Sequence, residues 1–162
     1  MRLLPVLLFS LLAGYAGADT FQVEVEIPRL RVAEYHAPYV AFWVENSDRS
    51  TILPLGLWYD DQEKWLKDIR QWWRRTGRSQ QKPYDGLTGA TRSPGKHSVD
   101  FSELQRLQEL PTGNYQLVVE ASREVGGREV VRLPFQWPAS RPQQHQANGN
   151  SELGTVTLTL TP

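Results

Sequence analysis

The chain has 162 residues, with eighteen basic and eighteen acidic side chains, 40% hydrophobic residues and no cysteine. The balanced charge offers no basic field for nucleic acid, and the lack of cysteine excludes disulfides, thiolate metal sites and thiol catalysis. A chain of this length fits one domain that buries its own core.

The first eighteen residues predict a secretory signal peptide. Arg2 begins a positive segment, residues 3–12 are almost wholly apolar, and residues 16–18 (Ala-Gly-Ala) supply a small-residue cleavage pattern. The apolar run is too short to span a bilayer, so we expect cleavage after Ala18 and a single domain over residues 19–162 that is not membrane-spanning. Export without cysteine favours a bacterial periplasm. A retained N-terminal anchor is the alternative.

Apolar runs predict about seven short strands. Residues 21–27 alternate apolar and polar side chains, which is typical of a half-buried strand, whereas residues 39–44 are apolar on both faces and predict a central strand. Pro54 and Gly56 interrupt a strand-like run over 51–58 and indicate an edge or a bulge. Further strands are predicted at residues 97–101, 115–121, 128–137 and 155–161.

One helix and two loops complete the predicted domain. Apolar residues recur with helical spacing over residues 61–75, which predicts a short amphipathic helix begun by an Asp60–Glu63 capping box. Residues 76–96 form a long loop, and a loop of that length is usually functional or disordered. The polar, Gln/Asn-rich residues 140–150 predict a mobile surface loop. These elements together predict an all-β, immunoglobulin-like β-sandwich.

The heptapeptide Asp-Gly-Leu-Thr-Gly-Ala-Thr at residues 85–91 lies within the long loop. It is similar, position for position, to the Asp-x-x-Ser/Thr-Gly-Ala-Thr/Ser motif of exported proteins that carry FMN covalently on a threonine. The resemblance implies that an FAD:protein FMN transferase passes the FMN phosphoryl group from FAD to the hydroxyl of Thr91. An apo form is expected wherever the transferase is missing.

The residues around Thr91 suit such an attachment. Gly89 permits a close backbone approach with unusual dihedral angles, and small Ala90 leaves the approach open. Thr88 is expected to hydrogen-bond a turn, and Arg92 is a reasonable partner for the attached phosphate. Asp85 either holds the loop or helps to place a cation in the transferase.

A wider resemblance is carried by stretches along nearly all of the exported chain, at residues 38–41, 57–59, 64–68, 72–75, 88–95, 113–115, 120–124 and 126–129. These resemble a family of predicted periplasmic proteins of unknown function that often accompany PepSY-type membrane proteins and the FAD:protein FMN transferase. The resemblance implies a flavinylated electron carrier beside a transmembrane electron donor. Such a carrier is a substrate of the transferase and not itself an enzyme, although its flavin could support reductase turnover.

Aromatic side chains are concentrated at Trp58, Tyr59, Trp65, Trp72 and Trp73. Either they fill an interface between helix and sandwich, or one or two of them stack on the isoalloxazine ring. Trp72 and Trp73 are adjacent and cannot face the same way on a helix, so one of the pair is the better candidate for an exposed platform.

Arg70, Arg74, Arg75 and Arg78 form a basic cluster in sequence. It suits an anionic group such as the FMN phosphate, the transferase or an acidic redox partner, or else it is a solvated helix end. The three histidines follow no metal-ligand spacing, so no metal site is expected. The alternative function is a non-redox binding or envelope-assembly module that uses the aromatic cluster and the long loop.

Overall fold

The computed structural model describes residues 19–60 and 62–162, so the predicted signal peptide lies outside the described residues. The strands of the described part are β1 Thr20–Ile27, β2 Tyr39–Asn46, β3 Ile52–Trp58, β4 Leu87–Gly89, β5 Gly95–Asp100, β6 Gly113–Ser122, β7 Arg128–Trp137, β8 Gln143–Asn148 and β9 Thr155–Thr161. The helical segments are a 3₁₀ turn at Glu63–Asp68, α1 at Arg70–Arg75, a 3₁₀ turn at Gly77–Ser79 and α2 at Gln105–Gln108.

The strands form two sheets. One sheet has four strands in the order β5-β1-β9-β8, and the other has five in the order β4-β3-β2-β6-β7. Neighbouring strands are antiparallel except for the parallel pair β3 and β4. The two sheets enclose one large apolar core, which confirms the predicted all-β sandwich.

The strands with the clearest hydrophobic patterns form where they were predicted. β1 turns Phe21 and the alternate apolar residues after it into the core, and its polar residues face the other way. β2 is buried along both faces because Phe42 and its even-numbered neighbours meet the inter-sheet core, whereas Trp43 and its odd-numbered neighbours meet a second cluster. β2 is therefore the predicted central strand between two packed layers.

The second apolar cluster lies under a layer of helical turns on the outer face of the five-stranded sheet. Ile69 and Trp72 are buried there, as their spacing predicted. The layer is not one helix over residues 61–75, because the backbone at Ile69 (φ −75°, ψ 74°) separates the 3₁₀ turn from α1. Helical spacing thus identified the buried face but not the break.

The start of the helical layer also differs from the prediction. No capping box forms: Asp60 Oδ1 accepts a hydrogen bond from the backbone N–H of Gln62 at 2.7 Å, and Glu63 pairs with Lys82. The fully buried carboxylate of Glu120, on β6, instead accepts the first backbone N–H groups of α1. The partner that begins α1 therefore comes from a strand distant in sequence.

Two segments predicted as loops contain strands. The predicted mobile loop 140–150 holds β8, which pairs with β9 and packs Ala147 against the core. The predicted loop 76–96 holds a 3₁₀ turn, β4 and the start of β5. Because β4 pairs with β3, β3 is not an edge strand; the alternative prediction of a bulge is confirmed by the register shift opposite Pro54 and Gly56.

Candidate functional site

The motif begins a segment that passes from one sheet to the other. β4 holds its middle, with Thr88 opposite Leu57 in parallel register, and the backbone N–H of Tyr59 donates to the Gly89 carbonyl at 2.9 Å. Residues 90–94 then lie outside any strand, and β5 joins the edge of the other sheet. Thr91 therefore sits in an unpaired segment held at both ends by strands.

Two glycines of the motif have different structural roles. Gly86 has a φ of +93°, and a Cβ there would lie 2.4 Å from the Leu55 carbonyl oxygen, so only glycine fits. A Cβ at Gly89 would meet Arg92 at 3.6 Å and Trp58 at 3.7 Å, which are ordinary contacts. The unusual dihedral angles expected at Gly89 are not found, because Gly89 lies in a regular strand with room for a methyl group; a close approach to the transferase remains the role expected of it.

Thr91 is half-buried and lines a small cavity, whereas Ala90 and Arg92 on either side of it are exposed. The cavity volume is about 80 Å³, and its lining is His36, Ala37, Tyr39, Asp60, Trp65, Asp68, Thr91, Ser122 and Glu124. Three carboxylates and one imidazole therefore line the same cavity as Thr91. A cavity this small accommodates a few polar atoms and not a ring system.

Tyr39 anchors the acidic side of this cavity. Its hydroxyl donates to the Asp60 carboxylate and lies 3.1 Å from the Gln62 carbonyl oxygen. Burial, and then the hydrogen bond to Asp60, raise the pKa of Tyr39 well above its usual value, so it stays protonated and keeps donating. His36 bridges two more acids, at 2.9 Å from Glu34 and 3.9 Å from Glu124.

Arg92 lies over an aromatic ring. Its guanidinium carbon is 5.3 Å from the ring centroid of Trp58, which is buried and packs on Phe42 with the ring centroids 4.8 Å apart. A stacked guanidinium keeps the N–H donors at its edge free for an anion. Arg92 follows Thr91 directly in the chain, and within the described residues its guanidinium has no ion-pair or hydrogen-bond partner.

Asp85 and Thr88 do not meet Thr91. Asp85 precedes β4 whereas Thr91 follows it, and the Asp85 carboxylate pairs with Arg106 at 2.9 Å. Of the two roles expected for Asp85, the contact with Arg106 corresponds to holding the loop. Thr88 is exposed on β4, so the expectation that it hydrogen-bonds a turn is wrong.

The aromatic residue near Thr91 belongs to the aromatic cluster named from the sequence, but it is neither Trp72 nor Trp73, the pair expected to supply an exposed platform. Trp72 is only 2% exposed and its ring packs on Gly77, so it belongs to the core; Trp73 is half-buried against the same cluster. Trp65, not Trp72 or Trp73, lines the cavity with Thr91. The buried Trp65 indole Nε1 has no hydrogen-bond partner among the described residues.

The basic cluster predicted from the sequence is divided in space. Arg74 and Arg75 line a groove together with Arg49 and Arg132, whereas Arg70 lines a different surface depression. Within residues 19–60 and 62–162, no group of His, Asp and Glu has the arrangement of a metal site.

The fold and the site define a β-sandwich that carries its candidate residue on a segment between the two sheets. Residues 20–155 match the family described as Predicted periplasmic protein (DUF2271), and the chain belongs to this family. That description agrees with the periplasmic location predicted from the leader. No helix in the described part of the chain is long and apolar enough to cross a membrane. No curated protein and no solved structure matches the chain.

Proposed function

We propose that the protein is a periplasmic electron carrier with FMN bonded through its phosphate to Thr91. The motif over residues 85–91 carries the proposal, and the position of Thr91 supports it. A transferase must receive the hydroxyl in its own cleft, so the acceptor has to lie in a segment that is free of sheet pairing. Residues 90–94 meet that condition, with exposed neighbours on both sides of Thr91.

The attachment is a phosphoryl transfer. The Thr91 oxygen forms a bond to the FMN phosphorus of FAD while the pyrophosphate bond breaks; AMP leaves with the bridging oxygen, and the hydroxyl proton passes to a base. Such transfers depend on positioning and on neutralising the phosphate charge. Arg92 is the residue of this chain that neutralises the resulting phosphodiester.

The residues present fit FMN. The orphaned Nε1 of Trp65 supplies a hydrogen-bond donor, and a buried donor without a partner is unfavourable until an acceptor reaches it. Asp60, Asp68 and Glu124 supply acceptors, which suit the ribityl hydroxyl groups next to the phosphate better than the anionic phosphate itself. FMN, when bound, supplies reversible acceptance of electrons.

The size of the cavity favours a flavin whose ring lies outside it over a flavin enclosed by the protein. Small-molecule sites usually enclose roughly 300–1,000 Å³, whereas the cavity at Thr91 has about 80 Å³. The isoalloxazine ring therefore remains at the surface, where a partner can approach it. By the family resemblance, those partners are the FAD:protein FMN transferase and a PepSY-type membrane donor.

The alternative binding module draws less support. Its recognition surface would combine the aromatic cluster with the long loop, but Trp58 and Trp72 are buried and Trp73 packs on the second apolar cluster. These rings stabilise the sandwich and its helical layer instead of presenting a platform to a ligand.

Intact-mass measurement tests the proposal. The exported protein is produced with and without the transferase in the same compartment, and the expected product is heavier by one FMN less one water only when the transferase is present. Thr91→Ala should abolish the adduct, whereas the matched control Thr88→Ala should keep it. Absence of an adduct from the unaltered protein, with an active transferase verified on another substrate, would remove the proposal.

A further inference from the structure

A groove lined by arginines lies on the helical layer, away from Thr91. Arg49, Arg74, Arg75, Arg132 and the amide of Gln71 line it, and its volume is about 480 Å³. That volume is typical of small-molecule sites. These five residues form the arginine groove.

The arginine groove is remote from the candidate attachment site. Tyr39, at the start of β2, lines the cavity of Thr91, whereas Arg49 follows Asn46 at the other end of the same strand. At about 3.3 Å per residue the length of β2 separates the two sites by roughly 20 Å. The arginine groove therefore does not serve the phosphate attached to Thr91.

A buried carboxylate anchors two of the guanidinium groups from below. Glu45 is 3% exposed, and its Oε1 lies 4.0 Å from Arg49 Nε and 3.9 Å from Arg132 Nε. The buried indole Nε1 of Trp43 donates to the other oxygen of Glu45 at 3.1 Å and fixes its orientation. Gln71 Oε1 accepts from Arg132 Nη2 at 2.5 Å.

The charges in the arginine groove do not balance. The groove has four guanidinium groups, and within the described residues the one carboxylate that pairs with any of them is Glu45. Like charges gathered on one surface repel each other, and the repulsion is relieved when an anion binds. Arg132 is held by Gln71 and lies near Glu45, so part of the ordering that a ligand would otherwise impose is already in place.

We propose that the arginine groove binds a ligand through a phosphate group that carries at least two negative charges or lies beside a second phosphate. Guanidinium groups bind phosphate oxygens in pairs, and four of them from three separate elements present more donors than one carboxylate uses. The phosphate belongs either to a soluble molecule or to a lipid headgroup, and the chemistry of recognition is the same for both.

Binding of two probes to the exported protein tests this site. Calorimetric titration with pyrophosphate reports a soluble ligand, and co-sedimentation with vesicles that contain cardiolipin, whose headgroup carries two phosphates, compared with phosphatidylcholine vesicles, reports a headgroup. Binding of either probe should weaken with added salt. Arg75→Gln and Arg132→Gln should each weaken it about tenfold, whereas Arg78→Gln, an exposed arginine outside the groove, should leave it unchanged.

A variant of the anchoring carboxylate separates a built site from a general charge effect. Glu45→Gln keeps an acceptor for Trp43 and makes the groove more positive. If the groove is built around Glu45, binding falls; if only net charge matters, binding rises and the proposal is overturned. Equal losses in Arg78→Gln and Arg75→Gln, or no binding of either probe, would also overturn it. Thermal unfolding of each variant verifies that it is folded.

Discussion

Substituting alanine for each of the two motif glycines separates an effect on folding stability from an effect on the access of the transferase to Thr91. At Gly86 a methyl group would lie 2.4 Å from the Leu55 carbonyl oxygen, and the φ of +93° is unfavourable for any L-residue with a side chain. The dihedral strain costs about 1–2 kcal/mol and the overpacking a further 1–3 kcal/mol. Gly86→Ala should therefore lower the free energy of unfolding by roughly 2–5 kcal/mol.

Gly89→Ala should behave differently. The new Cβ would have its nearest contacts 3.6 and 3.7 Å away, and the φ of Gly89 is not in the left-handed range. The change in the free energy of unfolding should therefore stay within about 1 kcal/mol, and the lower entropy of the unfolded chain adds a stabilising part. If the absence of a side chain at Gly89 allows the segment with Thr91 to enter the transferase, flavinylation of this variant should slow by about tenfold or more. Small displacements of reacting groups have large effects on rate.

Urea unfolding followed by tryptophan fluorescence measures the first quantity, and the fraction of adduct over time in intact-mass spectra measures the second. Thr88→Ala is the matched control, because Thr88 lies on the same strand and is exposed. An unstable Gly89→Ala protein would show that the packing argument is wrong. A stable Gly89→Ala protein that is flavinylated at the normal rate would refute the role of Gly89 in access.

Three further predictions follow from the described contacts. Glu120→Ala should lower the free energy of unfolding by about 3 kcal/mol, measured in urea, because it leaves buried N–H donors of α1 unpaired. Burial alone would raise the pKa of Glu129, but three backbone N–H donors outweigh it and hold the pKa below 4.5; its stabilisation is therefore present above that pH and lost as the pH falls through the lower folded value. In urea titrations at decreasing pH, Glu129→Gln should remove that part of the acid sensitivity. Trp65→Phe should leave the FMN adduct in place but lower the fluorescence anisotropy of the attached flavin, with Trp73→Phe as the unaffected control.

The hydrophobic pattern of the sequence predicted the elements whose side chains form the apolar core. The continuous apolar run of β2 indicated burial on both faces, and Ile69 with Trp72 marked the buried side of the helical layer. β8 was missed because its Gln- and Asn-rich residues carry little apolar signal, and backbone pairing with β9 holds the strand instead. Edge strands of this kind are set by their neighbours and not by their own composition.

The candidate site could be predicted only where the motif is local. Thr91 is predicted by the motif and Arg92 by its position next to Thr91, but the proximity of Trp65 to Thr91 depends on how the helical layer lies across the sheet. The arginine groove could not be predicted from the sequence for the same reason. Arg49 and Arg132 come from distant parts of the chain, and only the fold brings them to one surface.

Fragmentation of one proteolytic peptide tests the central claim most directly. Trypsin cleaves after Arg78 and Arg92 but poorly at Lys82, which precedes proline, so residues 79–92 should form one peptide that contains both Thr88 and Thr91. After expression with the transferase, the account predicts that fragment ions place the FMN mass on Thr91. An FMN mass on Thr88, or an unmodified peptide from protein exposed to active transferase, would contradict it.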